Sequence, residues 1–186
     1  MEIPTRKKCF QIIRNMGMMD HIVDHSIMVG NVTLCLCRQI KPTTPSLNVE
    51  LATAAALLHD ITKTRSFETG ERHSDTGGEL LRTLGYPEVG DIVRQHVILD
   101  CCSEDTPVTE QEIVNYADKR VLHDTVVSLA RRLEYIQDRY AGSYHLKNQI
   151  AVMWQTTRTL EKKLFRRIPF SPAQLSDRVL MDIRFL

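Results

Sequence analysis

A chain of 186 residues is long enough for one domain with a substantial core and short for two. Hydrophobic residues at 42% and charged residues at 25% are ordinary for a soluble globular protein, and a formal net charge of +1 argues against a broad basic field for nucleic acid or an anionic membrane. Any anion site must be local, and no apolar run approaches the ~18 residues needed to span a bilayer.

The expectation is one domain over residues 1–186 in the cytoplasm, since no apolar N-terminal run resembles a secretory leader. Cys9, Cys35, Cys37, Cys101 and Cys102 lack the spacing of a disulfide framework or a structural zinc site, and reduced thiols are expected.

The pattern is helical nearly throughout. Ile3 to Met16 reads as a first helix, with Pro4 at an early position. Asp20 to Ile40 carries apolar residues at mixed three- and four-residue steps, the mark of a helix buried around much of its circumference. Lys41 to Pro45 breaks it, and Ser46 is a candidate N-cap for a small-residue helix from Leu47 to His59.

Ile61 to Glu71, rich in Thr and Ser, looks like a loop. Ser74 to Leu84 is a helix stopped by Gly85, and Pro87 to Val97 is the next. Asp100 to Pro107 is loop-like. Thr109 with Glu112 forms a capping box for a helix running past Asp118. Long helical patterns cover Asp124 to Tyr140 and Tyr144 to Ile168, and Ser171-Pro172 opens a last short helix. No strand alternates convincingly, so the fold class is all-α, a compact orthogonal helical bundle.

The chemistry-bearing residues lie between His21 and Lys119. His59-Asp60 ends the apolar run Ala54 to Leu58, where a charged pair is costly unless compensated. A divalent cation compensates it, although His and an acid also simply solvate many helix ends. His25 stands on an otherwise apolar helix, His96 ends another, His73 follows the loop after the dyad, and Asp118 is set into an apolar pattern. Together these polar groups point to one metal cluster.

In this order, His25-Ser26-x-x-Val29, Ala55 to Lys63 with His59-Asp60, His73, His96 and Ala117-Asp118, the chain resembles the HD superfamily of metal-dependent phosphohydrolases in its HDIG-like subgroup. The resemblance covers residues 18–122, leaving 123–186 as a C-terminal helical extension. Thr62 stands where the HDIG tetrad has Gly, and the GYP signature of cyclic-di-GMP hydrolases is missing.

The resemblance implies an HD fold with His25, His59, Asp60 and Asp118 on a first metal, and Asp60, His73 and His96 on a second. Such a pair, ~3.5–4 Å apart, clamps phosphate oxygens and activates water for in-line attack. The ligand types suit Fe, Mn, Zn, Ni or Co, without choosing among them or fixing one ion or two.

Asp60, Lys63 and Asp118 are the catalytic candidates. Lys63, Arg65 and Lys119 are expected against substrate phosphate, and His21, one turn before His25, is expected to line the pocket. The implied substrate is a small phosphorylated molecule of nucleotide type. By ligand set the nearest members split diadenosine tetraphosphate, with nucleoside monophosphatases and cyclic-nucleotide phosphodiesterases nearby.

A non-catalytic nucleotide sensor is the alternative, an acyl- or amide-hydrolase using the same metals a third reading, and a homodimer surface is open. His123 and His145 read as surface residues and Trp154 as core. Arg120 reads as a surface pair, and Arg131-Arg132, Lys162-Lys163 and Arg166-Arg167 as solvated helix faces.

Overall fold

A computed structural model describes the backbone of residues 2–140 and 144–184; His145 lies outside the residues whose side chains are described. Helix α1 spans Arg6–Asn15. It begins later than Ile3 because Thr5 takes the cap, its hydroxyl accepting the Lys8 N–H at 3.2 Å. Helix α2 spans Asp20–Ile40, as its apolar pattern requires, and most of its residues are buried. Helix α3 spans Val49–Leu58. Its cap is Asn48, not Ser46: the Asn48 Oδ1 accepts the Leu51 N–H at 3.0 Å. The run of alanines at 52 and 54–56 is fully or almost fully buried and lets α3 pack closely on α2.

Residues expected to be a loop include helix α4, Lys63–Thr69, which ends at Gly70 with φ +70°. None of its residues is buried, so no apolar period could announce it. Helices α5, His73–Thr83, and α6, Pro87–Arg94, form a hairpin turned at Gly85, φ +90°. They meet backbone to backbone: a Cβ built on Gly90 would lie 2.5 Å from the Gly78 carbonyl oxygen. Any larger residue there would force the pair apart.

Helix α7, Glu110–Lys119, starts with the expected capping box of Thr109 and Glu112. The helix expected from Asp124 is displaced by a small antiparallel ribbon, β1 Val121–Leu122 and β2 Thr125–Val126, turned at His123 with φ +56°. Helix α8, Leu129–Tyr140, therefore starts late, and α9, Tyr144–Phe165, packs on it and on α7. After a 3-10 turn at Pro172–Gln174 comes α10, Leu175–Arg178. The tail then returns to α2, where the Asn31 amide pairs with both the carbonyl (3.1 Å) and the N–H (2.9 Å) of Ile183.

Buried side chains from α1, α2, α3 and α5 through α10 form one hydrophobic cluster, Trp154 among them. Two charged groups expected on the surface are inside it. Lys163, fully buried, donates to both Glu112 oxygens at 2.7 and 2.8 Å. Arg120, also buried, donates to the Tyr116 hydroxyl and to the Val127 and Pro172 carbonyls. The cysteines are free thiols, and burial pushes Cys9 and Cys37 up to about 12. Among the described residues no helix is long and apolar enough to cross a membrane.

Candidate metal centre

Four helix ends and one helix interior meet at the cluster. His25 projects from the second turn of α2, and His59 and Asp60 occupy the turn that closes α3. His73 opens α5, His96 stands just beyond α6, and Asp118 lies in the last turn of α7. Residues placed at helix ends can bring polar tips together without leaving helical backbone groups unpaired in the core. The four imidazoles run in a row: centroids are 5.3 Å apart from His25 to His59, 4.9 Å from His59 to His96, and 5.1 Å from His96 to His73.

Their ring nitrogens face two carboxylates. At one end His25 Nε2 is 3.1 Å and His59 Nε2 3.7 Å from Asp118 Oδ1. At the other, His73 Nε2 is 3.1 Å and His96 Nε2 3.5 Å from Asp60 Oδ1, while His59 Nε2 is 3.4 Å from Asp60 Oδ2. His73 Nε2 and His96 Nε2 are themselves 3.2 Å apart. The sequence expected all six residues in one cluster, and the structure brings them together.

In His25, His59 and His96 the opposite ring nitrogens are fixed by backbone carbonyls. Nδ1–H of His25 donates to His123 at 2.8 Å, that of His59 to Ala56 at 2.7 Å, and that of His96 to Val93 at 2.7 Å. This leaves each Nε2 with its lone pair facing inward, the tautomer a metal ligand needs. His59 Nε2 and Asp60 Oδ1 are buried without a hydrogen-bond partner among the described residues. Two adjacent orphaned polar atoms in a core are costly unless a cation satisfies them. His25, His59 and Asp118 form one group whose donor atoms lie within 4.8 Å, and His59, Asp60 and His96 form a second. Nitrogen and carboxylate donors of this kind fit a divalent transition metal.

Electrostatics follow the same geometry. Burial alone would raise the Asp60 carboxyl, but His59 and Lys63 outweigh it and hold it well below the usual range. For Asp118 burial is likewise overcome, by Lys119, His25 and Arg132. Both stay ionised. Burial lowers His96 to about 4, with the neighbouring His59 adding to the effect. Burial pulls His59 down too, but Asp60 and Asp118 reverse the sign and leave it raised.

The expected phosphate-binding residues divide. Lys63 is at the centre, its Nζ 2.7 Å from Asp60 Oδ2. Arg65 is not: it turns outward to Glu71 at 2.7 Å because α4 points it away from the cluster. Lys119 is buried and committed to the His96 carbonyl (2.5 Å) and the Val97 carbonyl (3.3 Å), so it braces the His96 turn instead of facing a substrate. His21 is exposed at the start of α2.

Two contributors escaped the sequence reading. His123 supplies its carbonyl to His25, and Arg132 brings Nη2 to 3.8 Å from Asp118 Oδ1. For Arg132 a signal existed. Leu129, Leu133 and Ile136 mark the inner face of α8, and Arg132 sits on it. Thr62, in place of a glycine, is buried and donates to the His73 carbonyl at 2.9 Å.

Comparison with known proteins agrees with this geometry. An uncharacterised protein of Methanocaldococcus jannaschii is 30% identical over 140 residues, covering 65% of this chain and 81% of that protein. Ribonuclease Y of Aquifex aeolicus is 31% identical over 140 residues, covering 70% of this chain. A tRNA (cytidine(56)-2'-O)-methyltransferase of Thermoplasma volcanium is 26% identical over 151 residues, covering 81% of this chain. The chain spans only 23% and 40% of the length of these last two relatives. The HD domain family profile matches residues 22–122, the segment that holds all six converging side chains. The chain belongs to the HD domain family.

Proposed function

We propose that this chain hydrolyses a phosphate ester or anhydride of a small nucleotide, using two divalent ions that share Asp60. The observation that carries the reading is the convergence of four inward-facing Nε2 atoms on two ionised carboxylates, with cationic side chains at the same place. When bound, the ions supply Lewis acidity at phosphoryl oxygens and lower the pKa of the attacking water.

The chain's own residues position and neutralise. Asp60 presents Oδ1 to His73 and His96 and Oδ2 to His59 and Lys63, so its two oxygens serve the two halves of the site. Because Asp60 and Asp118 are held well below the usual carboxylate range, they act as ligands and orienting groups and are poor proton acceptors. Lys63, bonded to Asp60 and partly exposed, adds a positive charge to the field that a bound phosphate meets. Residues 123–186 form an extension that shapes the pocket on this HD core.

The test is a substrate screen with full-length protein loaded separately with Mn, Fe, Co, Ni or Zn. Mononucleotides, cyclic nucleotides, dinucleoside polyphosphates and a short 5'-phosphorylated RNA are compared. Turnover of a small nucleotide that falls roughly 100-fold or more in Asp60→Asn is expected. Turnover indifferent to Asp60→Asn overturns the mechanism, and turnover of RNA alone replaces the substrate class with that suggested by the ribonuclease name of one relative.

A further inference from the structure

Arg132 lies outside the family-matched segment, on the first turn of α8, yet its side chain is 13% exposed and reaches the Asp118 end of the cluster. Its surroundings leave the guanidinium unsatisfied. Nη2 stops 3.8 Å from Asp118 Oδ1, beyond hydrogen-bond distance. Nε is buried with no hydrogen-bond partner among the described residues. The Tyr135 ring, one turn along α8, backs the guanidinium at 5.8 Å and is itself edge-on to His123 at 5.5 Å. Thus the group is held in place by packing while, among the described residues, its Nε has no partner and its Nη2 reaches Asp118 only as a long ion pair.

The other cations at the site are engaged. Lys63 is bonded to Asp60, and Lys119 to two carbonyls. The site sets three cationic side chains against two carboxylates before any divalent ion is added. Adding metal enlarges the positive excess, so the species that completes the site is an anion. A planar fork matches the non-bridging oxygens of a phosphoryl group in a bidentate manner, which a lysine cannot do.

We infer that Arg132 is a substrate-binding residue: its guanidinium grips a phosphoryl group of the substrate at the Asp118 end of the site. The inference rests on the phosphohydrolase reading and extends it to a residue of the C-terminal extension. It makes α8 the element that admits only substrates whose phosphoryl group reaches this corner.

Calorimetric titration with inorganic phosphate, and separately with Mn, tests the inference on full-length protein. Wild type is compared with Arg132→Met and Arg132→Lys. Arg132→Met is expected to weaken phosphate binding roughly 10- to 100-fold in Mn-loaded protein. Arg132→Lys, which keeps the charge and loses the fork, should fall between it and wild type.

Mn affinity should stay the same or tighten in Arg132→Met, because a positive charge has left the neighbourhood of Asp118. Unchanged phosphate affinity in Arg132→Met overturns the inference and leaves the reaction reading intact. Phosphate and Mn affinity falling together overturns it in favour of a residue that merely positions Asp118. Wild type that binds Mn but no phosphate overturns the reaction reading and Arg132's role with it. Should Arg132→Met fail to fold, Arg132→Lys decides: weaker phosphate with unchanged Mn supports the inference, and unchanged phosphate overturns it.

Discussion

At the Asp118 end of the cluster, His25 and His59 come from two of the most buried helices, and each has Nδ1 locked to a carbonyl. At the Asp60 end, His73 opens α5 with its side chain 25% exposed, and its position depends on a short helical hairpin. His59 faces both ends. The difference teaches that one half of the site is preorganised and the other adjustable. Ligands held by packing and a second hydrogen bond lose little freedom on binding, whereas a partly exposed ring without one must be ordered. On the two-ion proposal, the Asp118 end should therefore hold its ion more tightly.

The most severe way to break this asymmetry is His59→Ala, which removes the ligand common to both ends. Elemental analysis after metal-supplemented expression should find no stoichiometric metal; a variant that still carries ions with wild-type occupancy would show that His59 is not shared. Next in size is the contrast between the two ends. His73→Ala should weaken only the looser ion, by roughly 10- to 100-fold, while His25→Ala should weaken the tighter one. Two-phase Mn titration reads this directly, and identical losses in both variants would erase the asymmetry.

The brace beneath His96 comes third. Lys119→Met leaves Asp118 without its buried neighbour and strips a donor from two carbonyls, a loss of about 3–5 kcal/mol in urea unfolding. A loss under about 1 kcal/mol would show that Lys119 is dispensable.

The fourth prediction concerns acid. In metal-free protein His96 is lowered to about 4, so its neutral form contributes stability above the ordinary histidine range. That contribution, about 3 kcal/mol, is lost as pH falls from ~6.5 through 4. His59, whose pKa is raised, acts with the opposite sign: its share is full at low pH and lost as pH rises. Asp60 and Asp118, held well below 3.8, release theirs only at lower pH. In chelator-treated protein His96→Gln should flatten the acid-side fall, and an unchanged fall would assign it to another group. Smallest is Arg65→Ala. With its Glu71 pair on the surface, it should leave both the urea midpoint and phosphate binding essentially unchanged.

Legibility in the sequence followed the range of the interactions. Asp20–Ile40 and the box at Thr109 and Glu112 were readable because periodicity and capping are local. The six converging residues were readable because each is a polar exception in an apolar stretch. Lys163 was not, since what buries it is Glu112, a partner 51 positions away. Lys119 and Arg65 misled for a related reason. Adjacency to a candidate ligand fixes neither the direction of a side chain nor its hydrogen-bond partners. Helix α4 was invisible because its side chains bury nothing, whereas Arg132 had a readable signal in the Leu129, Leu133 and Ile136 face that it shares.

The hairpin of α5 and α6 has one further consequence. His73 stands five residues before Gly78 and His96 six residues after Gly90, and the two glycines touch where the helices cross. The crossing works as a calliper whose jaws are the two imidazoles and whose stop is set by two hydrogens. A methyl at either glycine would open the jaws without altering a ligand. On the two-ion proposal, the ionic radius accepted at the Asp60 end would in this sense be gauged by a contact between residues that bear no side chain.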